Sequence, residues 1–100
     1  MNRVVVTGLG VVSPVGSAPE LFWRNLTAGQ SGIRQITLFN ASSFPIRIGG
    51  EVRDLDLRSL TERFPAAKGE RDRKVWLGLA AAEQALTGAG LSEGPRFVAR

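Results

Sequence analysis

The chain has 100 residues, 43% apolar and 22% charged, with a net charge of +4 at neutral pH, a composition ordinary for one small soluble domain. It contains neither cysteine nor histidine, which excludes within these residues a disulfide framework, a thiolate nucleophile or metal ligand, and any imidazole base. No stretch approaches the roughly 18 unbroken apolar residues that a membrane span needs, so no membrane partner is expected.

The chain opens on Val4, Val5 and Val6 and stays apolar to Val12 without polar alternation. That is the pattern of a strand buried on both faces, with helices above and below. Asn2-Arg3 before the valines and "SPVGSA" after them imitate a secretion signal, but Gly8 and Gly10 interrupt the run and folded-looking sequence follows. A cytoplasmic protein is the expectation. Gly8 and Gly10 also fill the first two places of a dinucleotide-binding turn. The third place is Ser13, Pro14 follows it, and no acidic residue stands between Glu20 and Glu51 to hold a ribose, so that motif fails. A Walker loop fails for want of Gly-Lys-Ser/Thr, and no cofactor is expected. The two glycines are read instead as a kink where another backbone comes close.

Ser17 with Glu20 three residues later, and Pro19 in the first turn, predict a capping box and a helix from about Ala18. Phe22, Trp23 and Leu26 lie on that helix, and Gly29 ends it. Residues 30–43 are irregular, with Ile33, Ile36, Leu38 and Phe39 as anchors under a loop. In "FPIRIGGEV", Ile46 and Ile48 alternate with Arg47, which predicts a short half-exposed strand with a bulge or bend at Gly49-Gly50. A short helix is expected around residues 57–64, broken at Pro65.

Asp72 is a good N-cap for a long Ala-rich helix running to about Leu86. Val75, Leu79, Ala82 and Leu86 fall on one apolar face, while Gly78, Ala80, Ala81 and Ala85 let neighbours approach closely. Gly88 or Gly90 ends it, and "RFVAR", from Arg96, begins another apparent strand. Trp23 and Trp76 are read as packing aromatics, and Thr7 and Ser13 as turn and strand-end hydroxyls, since no base accompanies them.

Seven of the thirteen cations lie between Arg53 and Lys74, interleaved with Asp54, Asp56, Glu62, Glu70 and Asp72. Such an excess suits an acidic partner, although a solvated, ion-paired surface accounts for it better. No aromatics interleave with the charges as a nucleic-acid platform requires, so no nucleic acid is expected.

Four segments, "VVVTGLGVVSPVG", "ELFWRNLTAGQSGI", "FPIRIGGEV" and "DRKVWLGLAAAEQALTGAGL", resemble in order and spacing the N-terminal part of β-ketoacyl-[acyl-carrier-protein] synthases of the KAS II type. The resemblance covers essentially all 100 residues. Its specific element is T-G-x-G-x-V-S-P-x-G joined to Trp23, Leu26, Gly29, Ser31, Gly32 and Ile33. It implies an α/β protein: residues 1–100 as an incomplete N-terminal half of a thiolase-like fold, layered around a mixed sheet. In that family a helix-borne cysteine accepts the acyl group, and two histidines assist decarboxylation and condensation. With both residue types missing here, the chain is expected to stop before the catalytic residues and to be inactive alone. The implied partners are an acidic acyl carrier protein and, for the full-length family, a second copy of the enzyme. Lys68, Arg71, Arg73 and Lys74 in "AAKGERDRK" are the candidates by position for the cluster that docks the carrier in bacterial relatives, with their exact places shifted from the usual ones and Glu70 and Asp72 diluting the field. Asn40 stands where the family commonly has Asp, and the sequon at Asn25 is read as accidental. The same resemblance fits a non-catalytic chain-length-factor-like subunit. An autonomous carrier-docking module of this length is a third reading, with an aggregated or unfolded isolated chain as the expected outcome against it.

Overall fold

The computed structural model describes residues 2–91. Along them run helix α1 (Pro19–Thr27), strand β1 (Ile33–Gln35), strand β2 (Ile48–Gly50), helix α2 (Leu57–Arg63), a 3-10 turn (Pro65–Ala67) and helix α3 (Arg73–Gly88). The expected strand at "RFVAR" lies outside the described residues.

Local chemistry explains most helix ends. Asp56 and Asp72 cap α2 and α3, their carboxylates accepting from the Ser59 and Lys74 amides, which satisfies donors that a helix N-terminus leaves open. Both long helices finish in the same way. Gly29 and Gly90 adopt φ values of 73° and 76°, and the paired bonds Gln30 N to Asn25 O and Gly29 N to Leu26 O recur as Leu91 N to Leu86 O and Gly90 N to Thr87 O. Only glycine takes this left-handed position without strain, and the pattern closes the last carbonyls.

The capping box expected at Ser17 does not form. Ala18 is the N-cap of α1 and supplies no side-chain bond. Ser17 faces Asp54 instead, its amide donating at 2.9 Å and its hydroxyl at 2.6 Å to the two carboxylate oxygens. A carboxylate that accepts twice is a stronger partner than the amide of the next turn.

Strands β1 and β2 pair antiparallel, with Ile33, Arg34 and Gln35 opposite Gly50, Gly49 and Ile48. The first of these strands falls in what the sequence presents as a loop. Gly49 and Gly50 sit within the ladder, so the expected bulge is absent there. Ile36 N to Arg47 O extends the hairpin by one bond, and Glu51 then fastens its long connection. This buried carboxylate accepts from the Thr37 amide at 2.9 Å, the Leu38 amide at 2.8 Å, the Thr37 hydroxyl and Arg53. The Thr37 amide foremost, despite some desolvation, holds the Glu51 carboxyl below its ordinary value.

The core lies between α2 and α3: Leu60, Trp76 and Ala80 are buried, with Val12, Leu55, Leu57, Phe64, Ala67 and Leu79 packed around them. Complete burial of a leucine such as Leu60 is worth about 2 kcal/mol. Trp76 is the packing aromatic expected, and its indole N–H donates to the Glu70 carbonyl at 3.0 Å. The buried face of α3 therefore carries Trp76 and Ala80 and is turned by about one residue from the expected Val75–Ala82 face, where Val75 and Ala82 are exposed. Trp23, read likewise as a packing residue, is 65% exposed.

Residues 4–12 do not form the doubly buried strand. Val4 is 93% exposed and Val6 80%, and no described segment pairs with them in a ladder. The physical reason is incomplete cover. One side of this segment lies on α3, and no described element covers the other.

Candidate functional site

Two surfaces answer to the sequence reading: the seat of the glycine segment on α3, and the basic turn that leads into α3. Gly8 and Gly10 meet that helix directly. A Cβ on Gly8 would overlap the Ala85 carbonyl and lie 2.9 Å from the Ala89 amide nitrogen; one on Gly10 would overlap the Ala81 carbonyl and lie 2.7 Å from its carbon. Real Cβ atoms do not approach so closely, so glycine is required at both positions. The close backbone approach inferred from G-x-G is present, and the backbone it meets is helical. Gln84, next to Ala85 and one turn after Ala81, binds the segment from its side chain: Oε1 accepts from Val11 N at 2.9 Å, and Nε2 donates to Ser17 O at 2.7 Å.

Pro14 and Val15 form a tight turn between Ser13 and Gly16. The Ser13 hydroxyl accepts from the Val15 and Gly16 amides and donates to the Gly16 carbonyl. It is a turn hydroxyl, as its position suggests, and Asn25 secures the same turn by donating to Val15 O at 2.7 Å.

The four cations singled out from the sequence divide into two kinds. Arg73, half-buried, donates from Nη2 to the Val52 carbonyl at 2.6 Å, which anchors the start of α3 and turns its guanidinium into the fold. Lys74 pairs with Asp72 at 2.9 Å, yet its side chain is 83% exposed. A pair so solvated contributes little and leaves the lysine competent for another anion. Lys68 and Arg71 are exposed, and neither makes an ion pair among the described residues. Glu70, expected to dilute their field, has Oε1 engaged by the Asp72 amide at 2.9 Å. The turn thus presents Lys68, Arg71 and Lys74 beside the positive end of the α3 dipole.

Nearby, Arg63 and Glu83 join α2 to α3 in a two-pronged pair at 2.6 and 2.8 Å, and Arg63 also meets the Ser59 hydroxyl. The Glu83 hydrogen bond foremost raises the Arg63 pKa above its ordinary value. A hollow of about 440 Å³ opens beside the hairpin connection, lined by Gln35, Thr37, Phe39, Asn40 and Arg47. A second, of about 420 Å³, lies between Leu9, Pro19, Gln84 and Thr87. What these surfaces can do is seat backbone and attract anions.

Sequence reasoning missed Asp54, Glu51 and Gln84, whose partners lie 37, 14 and up to 73 residues away. Their signal in the sequence is only a polar residue near an apolar run.

Residues 1–96 match the family described as "Beta-ketoacyl synthase, N-terminal domain". The chain belongs to the β-ketoacyl synthase family. Among curated relatives, the 3-oxoacyl-[acyl-carrier-protein] synthase 2 of Coxiella burnetii is 49% identical over 83 residues, covering 75% of this chain and 20% of that protein. The protein of the same name from Vibrio cholerae is 41% identical over 99 residues, covering 99% of this chain and 23% of that protein. The Streptomyces glaucescens tetracenomycin polyketide synthase ketoacyl synthase beta subunit is 44% identical over 89 residues, covering 88% and 21%. This β-ketoacyl synthase chain spans about a fifth of the length of the curated relatives it matches. Among the described residues, no helix is long and apolar enough to cross a membrane.

Proposed function

We propose that the chain is the opening segment of a 3-oxoacyl-[acyl-carrier-protein] synthase, an acyltransferase that elongates acyl chains in fatty-acid or polyketide synthesis. The observation that carries this reading is the 41% identity to the Vibrio cholerae synthase along 99% of the chain. In the proposed reaction an enzyme thiolate holds the acyl group as a thioester. Malonyl-carrier protein loses carbon dioxide, and the resulting carbanion attacks the thioester carbonyl, releasing the thiolate and leaving a 3-oxoacyl-carrier protein. A helix N-terminus favours such a thiolate, and backbone amides stabilise the oxyanion.

With no cysteine or histidine among the 100 residues, this segment supplies scaffold and docking surface, and the chemistry is done elsewhere in the fold. In this reading residues 1–100 are part of a thiolase-like half, layered around a mixed sheet, in a cytoplasmic homodimer. Lys68, Arg71 and Lys74 receive the acidic carrier protein. Arg73, bonded to the Val52 carbonyl, holds the turn that carries them.

The test is an assay of two polypeptides, the 100-residue chain and the product of the continuous reading frame that contains it, with acyl- and malonyl-carrier protein. The expected result is 3-oxoacyl product from the second alone, abolished by a thiol alkylator. Its absence overturns the proposal. Likeness to a polyketide synthase beta subunit favours one other reading, a non-catalytic chain-length-factor-like partner. That reading predicts no acyl-enzyme adduct by mass spectrometry.

A further inference from the structure

The basic turn before α3 holds two carboxylates, and they differ in what compensates them. Asp72 is paired with Lys74 at 2.9 Å, whereas Glu70 makes no ion pair among the described residues. Glu70 is also held at three points. Its amide donates to the Ala67 carbonyl at 3.0 Å, its carbonyl accepts from the indole of the core residue Trp76 at 3.0 Å, and its Oε1 accepts from the Asp72 amide at 2.9 Å. The exposed carboxylate of Glu70 thus keeps a fixed place between Lys68 and Arg71, which are exposed and make no ion pair among the described residues. A partner that settles on both cations comes down over Glu70 as well. Covering a carboxylate without giving it a donor is costly, and bringing a second anion against it costs more.

We propose that Glu70 is a specificity-determining residue of the docking surface, which admits a carrier protein whose acidic face is interrupted by one cationic side chain and penalises a carrier whose face is uniformly acidic. This rests on the carrier-docking reading above and adds to it the pattern of charge that the partner must carry. Lys68 and Arg71 supply the attraction, to acids on either side of the interruption. Glu70 supplies the discrimination, because a repulsive contact built into an interface separates partners that attraction alone accepts together. Glu70→Gln isolates that role. The amide oxygen can still accept from Asp72, and the backbone bonds to Ala67 and Trp76 are untouched, so the charge alone is removed.

The test uses a chimera in which this chain replaces the matched 99 residues of the Vibrio cholerae synthase; where that replacement does not fold, residues 65–74 alone are grafted. It is titrated with an acyl carrier protein of uniformly acidic face, and with variants of that carrier that each change one acid of the face to lysine. Most of these changes should weaken binding about tenfold at low salt. One, the lysine seated over Glu70, should bind at least as tightly as the unchanged carrier. Glu70→Gln should abolish that exception and tighten the unchanged carrier about threefold. Glu62→Gln, which removes the same charge from a side chain 72% exposed, should do neither. A scan without an exception, an exception that survives Glu70→Gln, or equal tightening of every carrier by Glu70→Gln overturns the proposal. Where Lys68→Glu with Arg71→Glu weakens binding in that same experiment, the docking reading stands and the specificity role alone falls; binding indifferent to that pair overturns both.

Discussion

Gly10 faces the Ala81 carbonyl of α3 at a separation that leaves no room for a methyl group. Gly10→Ala should therefore destabilise the fold by about 2 kcal/mol or more, the upper range for forcing atoms into packed structure. Gly78 provides the internal control. It lies on the same helix, and a Cβ added there would meet nothing within 4 Å, so Gly78→Ala should stabilise by about 0.5–1 kcal/mol through helix propensity alone. Opposite shifts of the urea midpoint for the two alanines are the expected outcome.

Gln84 joins the glycine segment to the entry of α1, accepting from Val11 and donating to Ser17. Both bonds are partly buried, and Gln84→Ala removes both, leaving the two backbone groups without these partners. A loss of about 1–2 kcal/mol is expected, read as a lower thermal midpoint. Thr87→Ala, exposed one turn later on the same helix, should fall within about 0.5 kcal/mol of the parent.

Glu51 is lowered from its ordinary 4.5 by the amides and hydroxyl it accepts from. A carboxylate depressed in the folded state contributes stability that is fully present above its unfolded pKa and is lost as pH falls through the folded value. The hairpin connection should thus loosen below about pH 4.5, with loss of exchange protection at the Thr37 and Leu38 amides, relative to unprotected amides at the same pH, as the readout. Glu51→Gln should be less stable at neutral pH and show a flatter dependence across that acidic window.

The carrier-docking reading separates Lys68 and Arg71 from Arg73. In a chimera that places this chain at the matched positions of the Vibrio cholerae synthase, Lys68→Glu with Arg71→Glu should weaken acyl-carrier-protein binding about tenfold at low salt, with a smaller effect as salt rises. Arg73→Ala should act through folding, because its guanidinium serves the Val52 carbonyl. Titration of each variant with carrier protein, alongside its melting curve, tells the two effects apart.

What the sequence revealed was what local chemistry decides. Asp72 as a cap, Gly29 as one end and the pair Gly88 or Gly90 as the other, and Pro65 as a break all depend on neighbours a few residues away. So does the inference that Gly8 and Gly10 admit another backbone, since nothing else explains two glycines inside a valine run. The buried face of α3 was less legible: the helix is apolar on most sides, so its periodicity could not choose between Val75 and Trp76, and packing against Leu60 decided. Ser17 followed Asp54 instead of its own helix because the competing acceptor lies 37 residues away. The basic cluster was visible as a cluster, but which of its members was already occupied depended on Val52, 21 residues upstream of Arg73.

Ser17 has each of its polar groups engaged: the amide and hydroxyl by Asp54, and the carbonyl by Gln84. Three points of the chain, 37 and 67 residues from Ser17 to its two partners, therefore close at one residue. During synthesis the helix that follows Ser17 emerges from the ribosome long before Gln84 does. Asp54 can reach Ser17 midway, but the entry of α1 is closed from both sides only after α3 has been made and Gln84 takes the Ser17 carbonyl.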